Sequence, residues 1–315
     1  MKAALCRTVT ICLCFLFSAC VLTGCGSENG GSDHSNTDAD EEGKKRTTQV
    51  TFLTPSADGT EVQEDGNVKI DSSNTGDGYV MVAYLGDADM ARVQITDPSD
   101  TVYSYALSGN DMATLPLSSG NGSYQVDVFE HAYDDMYALA TSWTKDVEIS
   151  DEFKPFLYPN LYCWYTKDST AVSLGMELSE ESSDDLDYVE KVYNYVITNI
   201  SYDNELAQNV STNYIPDNEN TLATGKGICF DFASLMAAML RSQNIPTKLE
   251  VGYSGQLYHA WISVYLTETG WVDNIISFDG NSWSLMDPTL AASNSASSVK
   301  DYVNDGSNYI VKYNY

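Results

Sequence analysis

The stretch GKGICFDFASLMAAMLRSQNIP, residues 225–246, decides the fold of the second half of the chain. Apolar residues recur at helical spacing from Phe232 onward, and a proline closes the pattern. We therefore predict a helix that begins near Ile228 and ends before Pro246. Cys229 falls on the inward face of this helix at its first turn. A small buried cysteine is the ordinary interpretation, but the positive end of the helix dipole also stabilises a thiolate there.

The N-terminus has the composition of an export signal. MKAALCR is basic, an apolar run follows, and Leu22-Thr23-Gly24-Cys25 resembles a bacterial lipobox. We expect residues 1–25 to be a lipoprotein signal, with Cys25 lipidated and anchoring the chain to the extracellular face of the bacterial cell membrane. A secreted protein without the lipid and an uncleaved anchor are the alternatives. Residues 26–48 contain no aromatic residue and predict a disordered tether.

The net charge of −29 excludes some classes of partner. Nucleic acids and anionic surfaces need a basic face, so we expect neither as a partner. Acidic residues attract calcium, but no D-x-[DN]-x-[DN]-G loop is present to place an ion. We therefore predict no cofactor and no metal, and calcium dependence and the oligomeric state stay open.

The seven cysteines do not form a disulfide framework. Four of them lie in the signal, and Cys25 is the predicted lipidation site. Only Cys163 and Cys229 are left for the folded body, and a bridge between them stays open at this point.

Residues 49–150 read as short strands. Runs such as YVMVAYL and YQVDVFE alternate apolar with polar residues, and turn-rich links such as SSGNGS separate them. Seven or eight strands at this spacing predict an all-β sandwich of immunoglobulin-like type. Such a domain presents binding loops or acts as a spacer.

Residues 151–315 follow a different pattern. An apolar stripe from Leu186 to Ile200 predicts one helix, residues 202–224 look polar and irregular, and the helix of Cys229 follows. TKLEVGY, YHAWISVYL, GWVDNIISF and WSLMDPT then predict strands, and the tail could add one more. This is an α+β arrangement of helices followed by an antiparallel sheet.

Two further residues accompany Cys229. His259 lies on a predicted strand opposite the apolar face formed by Ala260 and Ile262, so we expect it on the face that the cysteine helix covers. Asp287 ends a later predicted strand, WSLMD, just before a proline, within expected reach of an imidazole. Structural roles are the ordinary interpretation of each residue alone. His34 lies in the tether, and His131 lies in a predicted surface loop.

Taken together, GKGICFDFASLMAAMLRSQNIPTKLEVGY, YHAWISVY and WSLMDPT resemble the transglutaminase-like superfamily of papain-type cysteine enzymes. The resemblance covers roughly residues 185–290 and includes the leading helix YNYVITNISYD. It implies Cys229 as nucleophile, His259 as general base and acid, and Asp287 as the acid that orients the histidine. The backbone N–H of Cys229 is a natural oxyanion donor, and Tyr202 is the candidate for a second donor.

The chemistry implied is acyl transfer through a thioester with Cys229. Resolution by water would make a peptidase or amidase, whereas resolution by a lysine amine would make a crosslinking transglutaminase. We favour hydrolysis of a protein or peptide substrate at the cell surface, because no amine-binding site is evident. Tyr258 and Trp261 are candidates for the wall of the cleft. The alternative function is a catalytically silent binding or scaffold module.

Overall fold

The structure is a computed structural model that describes residues 45–46, 50–88, 90–134, 136–273, 276–278, 283–285 and 309–315. The described part of residues 43–315 belongs to one compact unit. The predicted signal with Cys25, most of the predicted tether with His34, and Asp287 lie outside the described residues. Within the described ranges, no helix is both long and apolar enough to cross a membrane.

The first half of the structure consists of two antiparallel sheets. Their strand orders are β1-β2-β3-β6 and β5-β4-β7-β8. The strands are β1 (Val62–Asp65), β2 (Val68–Asp71), β3 (Tyr79–Tyr84), β4 (Ala91–Thr96), β5 (Val102–Leu107), β6 (Ala113–Pro116), β7 (Gly122–Tyr133) and β8 (Met136–Val147).

Alternating apolar residues explain the packing of these sheets. In β4, Ala91, Val93 and Ile95 are buried, whereas the residues between them are half-buried. Ile95 lies opposite Val126 of β7, so both strands present an apolar face to the same core. The structure thus has eight strands here, as the spacing predicts. The immunoglobulin-like assignment and the domain boundary near residue 150 stay predictions.

The described residues of the second half contain five α-helices, a four-stranded antiparallel sheet and two two-stranded pairs. The helices are α1 (Thr170–Glu180), α2 (Asp185–Asn199), α3 (Asn204–Asn209), α4 (Asn218–Thr224) and α5 (Cys229–Ser242). The strands are β9 (Ser201–Tyr202), β10 (Lys226–Gly227), β11 (Thr247–Ser254), β12 (Leu257–Leu266), β13 (Gly270–Val272), β14 (Ile276–Phe278), β15 (Trp283–Leu285) and β16 (Tyr309–Asn314).

Helix α5 is the centre of this half. Every residue from Asp231 to Ser242 is buried, because α1, α2 and α4 contact the helix in addition to strands β11 and β12. The sheet order is β13-β12-β11-β16, so the tail of the chain does supply one more strand, paired with β11. A helix buried on all sides is expected to be mostly apolar around its circumference. The sequence FDFASLMAAML, residues 230–240, fits this expectation.

The observed helices differ from the predicted ones in two places. Helix α1 was not predicted from the sequence, because its TAVSLGMELSE pattern carries a glycine and only a modest apolar stripe. Residues 202–224 are also less irregular than expected, since they contain α3 and α4. Asp203 and Asp217 cap these two helices by accepting backbone N–H groups, and such caps can start very short helices.

Arg46 belongs to the folded body and not to the predicted tether. Its guanidinium donates to Asp185 Oδ1 at 2.6 Å, to Ser179 Oγ at 2.7 Å and to the Gln243 carbonyl at 2.7 Å. It also lies 4.9 Å from the centroid of the Tyr188 ring. The side chain is only 2% exposed, so one arginine joins the N-terminal segment to α1, α2 and the end of α5.

We expect Arg46→Ala to lower the free energy of unfolding by about 2–3 kcal/mol, because three hydrogen bonds from a charged group are lost. Urea unfolding of the full-length chain measures the change. Lys45→Ala is the matched control, since Lys45 is the exposed neighbour of Arg46 and should change stability by less than about 0.5 kcal/mol. Equal effects of the two substitutions would contradict the anchoring role of Arg46.

Candidate active site

A tight glycine loop delivers the chain to Cys229. Gly225 ends α4 with φ of 62°, a left-handed conformation that glycine adopts without strain. A Cβ at Gly227 would lie 2.7 Å from Cβ of Asp231, so only glycine lets the chain pass this close to the first turn of α5. Cys229 is therefore the first residue of the helix and is half-buried.

Asp231 organises the first turn of α5, and the sequence analysis overlooked it. Its Oδ2 accepts the Ile228 N–H at 2.8 Å, and its Oδ1 accepts the Tyr214 hydroxyl at 2.7 Å. Burial raises the pKa of Asp231, and these two hydrogen bonds partly oppose that rise. The Ile228 N–H is thus hydrogen-bonded to Asp231. The next N–H, that of Cys229, lies in the first turn of the helix, where backbone N–H groups have no acceptor within the helix. An acid at the third helical position was the available sequence signal.

Tyr202 reaches the site through a short parallel pairing. Strand β9 pairs with β10 so that Tyr202 lies opposite Gly227, two residues before Cys229. The Asp203 N–H also donates to the Gly227 carbonyl at 2.9 Å. The chain leaving α2 is therefore fixed beside the loop that leads into α5, which brings a residue 27 positions away in sequence next to the cysteine.

His259 lies near the start of β12, opposite Gly252 of β11. A Cβ at Gly252 would overlap the Ile310 carbonyl oxygen, so glycine allows β16 to approach β11 beside the histidine. The His259 ring stacks with Trp261 at a centroid distance of 6.0 Å, and the Tyr309 ring lies 6.4 Å away. The histidine is half-buried within an aromatic cluster.

The expected orientation of β12 needs correction. The face carrying Ala260 and Ile262, and not the face carrying His259, belongs to the same hydrophobic core as α5. Burial of apolar side chains is favourable, so the face carrying Ala260 and Ile262 is the one that packs into the core. His259 still reaches the cysteine region because it lies at the strand end, where residues of both faces border the same space.

A cavity of about 530 Å³ brings the candidate residues together, and we call it the thiol cavity. Cys229, His259 and Tyr202 line it together, and so does Tyr258, one of the two predicted wall residues. Its remaining lining residues are Ser104, Tyr162, Ala207, Val210, Ser211, Thr212, Tyr214, Ile228, Phe230, Val251, Ala260, Tyr313 and Tyr315. The structure therefore collects residues from β5, from the segment after α3 and from β16 around a thiol and an imidazole.

The cavity wall is aromatic and uncharged. No Asp, Glu, Lys or Arg side chain is among its described lining residues. Burial raises the pKa of Tyr162 to about 12, and it also raises the pKa values of Tyr214, Tyr258 and Tyr315. These phenols stay neutral and can donate hydrogen bonds. Ser104 comes from β5, so the β-sheet half of the structure contributes to the same cavity.

The remaining candidate residues do not join this cavity. Cys163 is buried and its thiol is free, as is that of Cys229, so the bridge left open by the sequence is not formed. The Cys163 Sγ lies 3.6 Å from the Ser234 carbonyl, and burial raises the pKa of this thiol to about 11. His131 lies in β7 and not in a loop, with its ring bonded to the Asp134 carbonyl at 2.6 Å. The place of Asp287 lies outside the described residues.

Comparison with known protein families gives a match for part of the chain. Residues 172–288 match the family model of the transglutaminase-like superfamily. This region is a transglutaminase-like domain. The matched residues include Cys229 and His259, which line one cavity. Among the described residues, no group of three or more His, Cys, Asp or Glu side chains is arranged to hold a metal ion.

Individual relatives are more distant. The uncharacterized protein YebA of Bacillus subtilis (strain 168) is 30% identical over 125 residues, which are 32% of this chain and 16% of that protein. The periplasmic domain of TgpA from Pseudomonas aeruginosa is 16% identical, with 65% of this chain and 88% of that chain covered and a TM-score of 0.33. Red sea bream transglutaminase is 12% identical, with coverages of 67% and 48% and a TM-score of 0.26. The assignment therefore rests on the family match of residues 172–288.

The two free thiols among the described residues, Cys163 and Cys229, should differ in reactivity. We expect iodoacetamide at pH 7 to label Cys229, which lines the cavity, and to spare Cys163, which is fully buried and has a raised pKa. Mass spectrometry of the digested full-length chain measures both sites. Unfolding in urea should make the two rates similar, and His259→Ala should slow labelling of Cys229 alone. Equal labelling of both thiols in the folded protein would contradict the site.

Proposed function

We propose that the protein is a cysteine acyltransferase or hydrolase of peptide or glutamine carboxamide bonds. The observation that carries this proposal is the common cavity of Cys229 and His259, with the cysteine at the N-terminus of a buried helix. In the proposed reaction, the Cys229 sulfur attacks a carboxamide carbonyl as His259 takes the thiol proton. His259 then passes this proton to the leaving amine, and a thioester remains on the enzyme.

The charge that forms on the carbonyl oxygen needs donors. The N–H of Cys229 at the helix start is the proposed main donor, supported by the helix dipole. Tyr202 lines the cavity and is the proposed second donor, because the hydroxyl of Tyr214 already donates to Asp231. We also propose Asp287 as the acid that orients the imidazole.

Water or an amine then resolves the thioester. Hydrolysis is the favoured outcome, since no charged side chain near the thiol would hold a lysine amine among the described lining residues. The enzyme is further proposed to work on a protein or peptide at the extracellular face of the cell membrane, anchored by a lipid on Cys25. The competing function is a silent binding or scaffold module.

The full-length chain, incubated with a glutamine peptide library and a labelled amine, tests the chemistry. We expect cleavage or deamidation, and incorporation of the amine would instead identify a transglutaminase. Cys229→Ser and His259→Ala should each lower the rate at least about 10³-fold, because nucleophile and base act as a unit. His131→Ala is the matched control and should leave the rate unchanged. Absence of any reaction, or a rate that survives both site substitutions, would favour the scaffold function.

The uncharged cavity wall further suggests the substrate class. Desolvating a charged side chain against tyrosine rings and Val210 is unfavourable without a partner, whereas apolar and aromatic side chains gain by burial. We therefore propose that the enzyme prefers a large apolar residue beside the scissile or modified carboxamide. Ser104 and the tyrosine hydroxyls would bind the peptide backbone.

Matched peptides with Phe, Glu or Lys beside the glutamine test this preference. We expect kcat/KM to be highest for Phe, by about tenfold or more. Val210→Glu should lower kcat/KM for the Phe peptide, whereas Asn209→Glu, one residue away and off the cavity wall, should not. Equal rates for all three peptides would exclude this subsite and leave the thiol chemistry unaffected.

A further inference from the structure

A second cavity lies outside the candidate active site. It measures about 560 Å³, and we call it the second cavity. One wall comes from the end of β5, the start of β6 and the link between them. The other comes from the residues near Trp164 and from the start of α4. Neither Cys229 nor His259 lines this space, so a ligand here would not contact the thiol.

The charges on this wall have one sign. Asp111, Asp217 and Glu219 line the second cavity, and no lysine or arginine appears among its described lining residues. Asp217 already accepts the Asn220 N–H, and Glu219 accepts from Thr170, so both carboxylates are held in place. Asp111 is exposed at the rim. The wall therefore offers hydrogen-bond acceptors and a negative potential.

Two buried polar atoms give independent support for a ligand. Asn218 is 5% exposed and Thr114 is 1% exposed, and both line the second cavity. The Asn218 Oδ1 and the Thr114 Oγ1 have no hydrogen-bond partner among the described residues. The Asn218 amide nitrogen is already used, since it donates to the Trp164 carbonyl at 3.2 Å. The Asn218 Oδ1 therefore lacks a hydrogen-bond donor. An unpaired buried acceptor costs about 1–3 kcal/mol, so a ligand that donates to it would be favoured.

The rest of the lining suits an aliphatic chain next to a cation. Trp164 is 49% exposed although it is a large aromatic residue, and its ring is therefore available to a ligand. Leu107, Met112, Leu161 and Ile215 supply apolar surface. An indole face attracts a cation, and the apolar surface would cover the methylene stem that carries it.

We propose that the second cavity binds an alkylammonium group, as carried by a lysine side chain of a peptide or by a free polyamine. The ammonium supplies three donors to a wall that offers acceptors. The carboxylates compensate its charge, the Trp164 ring attracts the cation, and the apolar lining residues cover its stem. This site does not depend on the proposed catalytic function, because its residues are separate from the thiol cavity. It would recruit a basic segment of a substrate or partner to a protein that is otherwise strongly acidic.

Three probes with the same five-carbon stem separate charge from shape. Isothermal titration of the full-length chain with 1,5-diaminopentane should show saturable binding that weakens as salt is raised. Glutarate should not bind, and 1,5-pentanediol should bind at least about tenfold more weakly. Equal binding of the diol would show a polyol site and overturn the proposal. A Gly-Lys-Gly peptide compared with spermidine then distinguishes a peptide source from a free polyamine.

Variants locate the bound amine. Asp111→Asn, Trp164→Ala and the near-isosteric Thr114→Val should each weaken binding of 1,5-diaminopentane severalfold or more, while Asp168→Asn, exposed and off the cavity wall, should not. Thr114→Val also tests whether the fold depends on the hydroxyl, since an unpartnered hydroxyl can be replaced without loss of stability. Binding that persists in all three variants, or that disappears in Cys229→Ser, would place the amine elsewhere and overturn the proposal.

Discussion

The buried guanidinium of Arg241 is the interaction on which the geometry of the site depends. It is 2% exposed and donates to three carbonyls, those of Thr247 at 2.9 Å, Tyr158 at 3.0 Å and Tyr315 at 2.5 Å. A buried cation is tolerated only when its donors are satisfied. Its position in the last turn of α5 adds a favourable interaction with the helix dipole. One side chain thus joins the cysteine helix to β11, to the segment after the β-sheets and to the end of β16.

This connection has consequences at the other end of the helix. Tyr313 and Tyr315 line the thiol cavity, and they come from the strand that Arg241 holds in place. The Tyr315 ring contacts Tyr103 and Tyr105 of β5 at 5.6 and 5.9 Å between centroids, and Tyr162 at 4.8 Å. The wall of the cavity is therefore continuous with the core of the β-sheets. The β-sheet half therefore helps to shape the cavity of Cys229 and His259, which goes beyond the spacer and binding-loop roles suggested by the sequence.

Local pattern predicted the helix and the strand that carry the two candidate residues. The helix from Cys229 and the strand bearing His259 could be identified because their residues repeat at helical and strand periods. Features that depend on long-range contacts could not be predicted. Arg46 looked like part of a polar tether because nothing local shows that its partners lie more than 130 positions away. The predicted orientation of β12 is also wrong, because alternation identifies the two faces of a strand but does not show which face packs against the helix.

The distribution of charge then explains how an acidic protein can accommodate thiol chemistry. The chain carries a net charge of −29, yet the described wall around Cys229 has no carboxylate. A carboxylate in contact with the sulfur would oppose formation of a thiolate in a poorly solvated space. Asp231, two residues along the helix from Cys229, is held by hydrogen bonds from the Ile228 N–H and the Tyr214 hydroxyl. The absence of Asp and Glu side chains from the described wall of the thiol cavity and their presence at the second cavity would give the two proposed sites opposite preferences, one for neutral apolar groups and the other for cations.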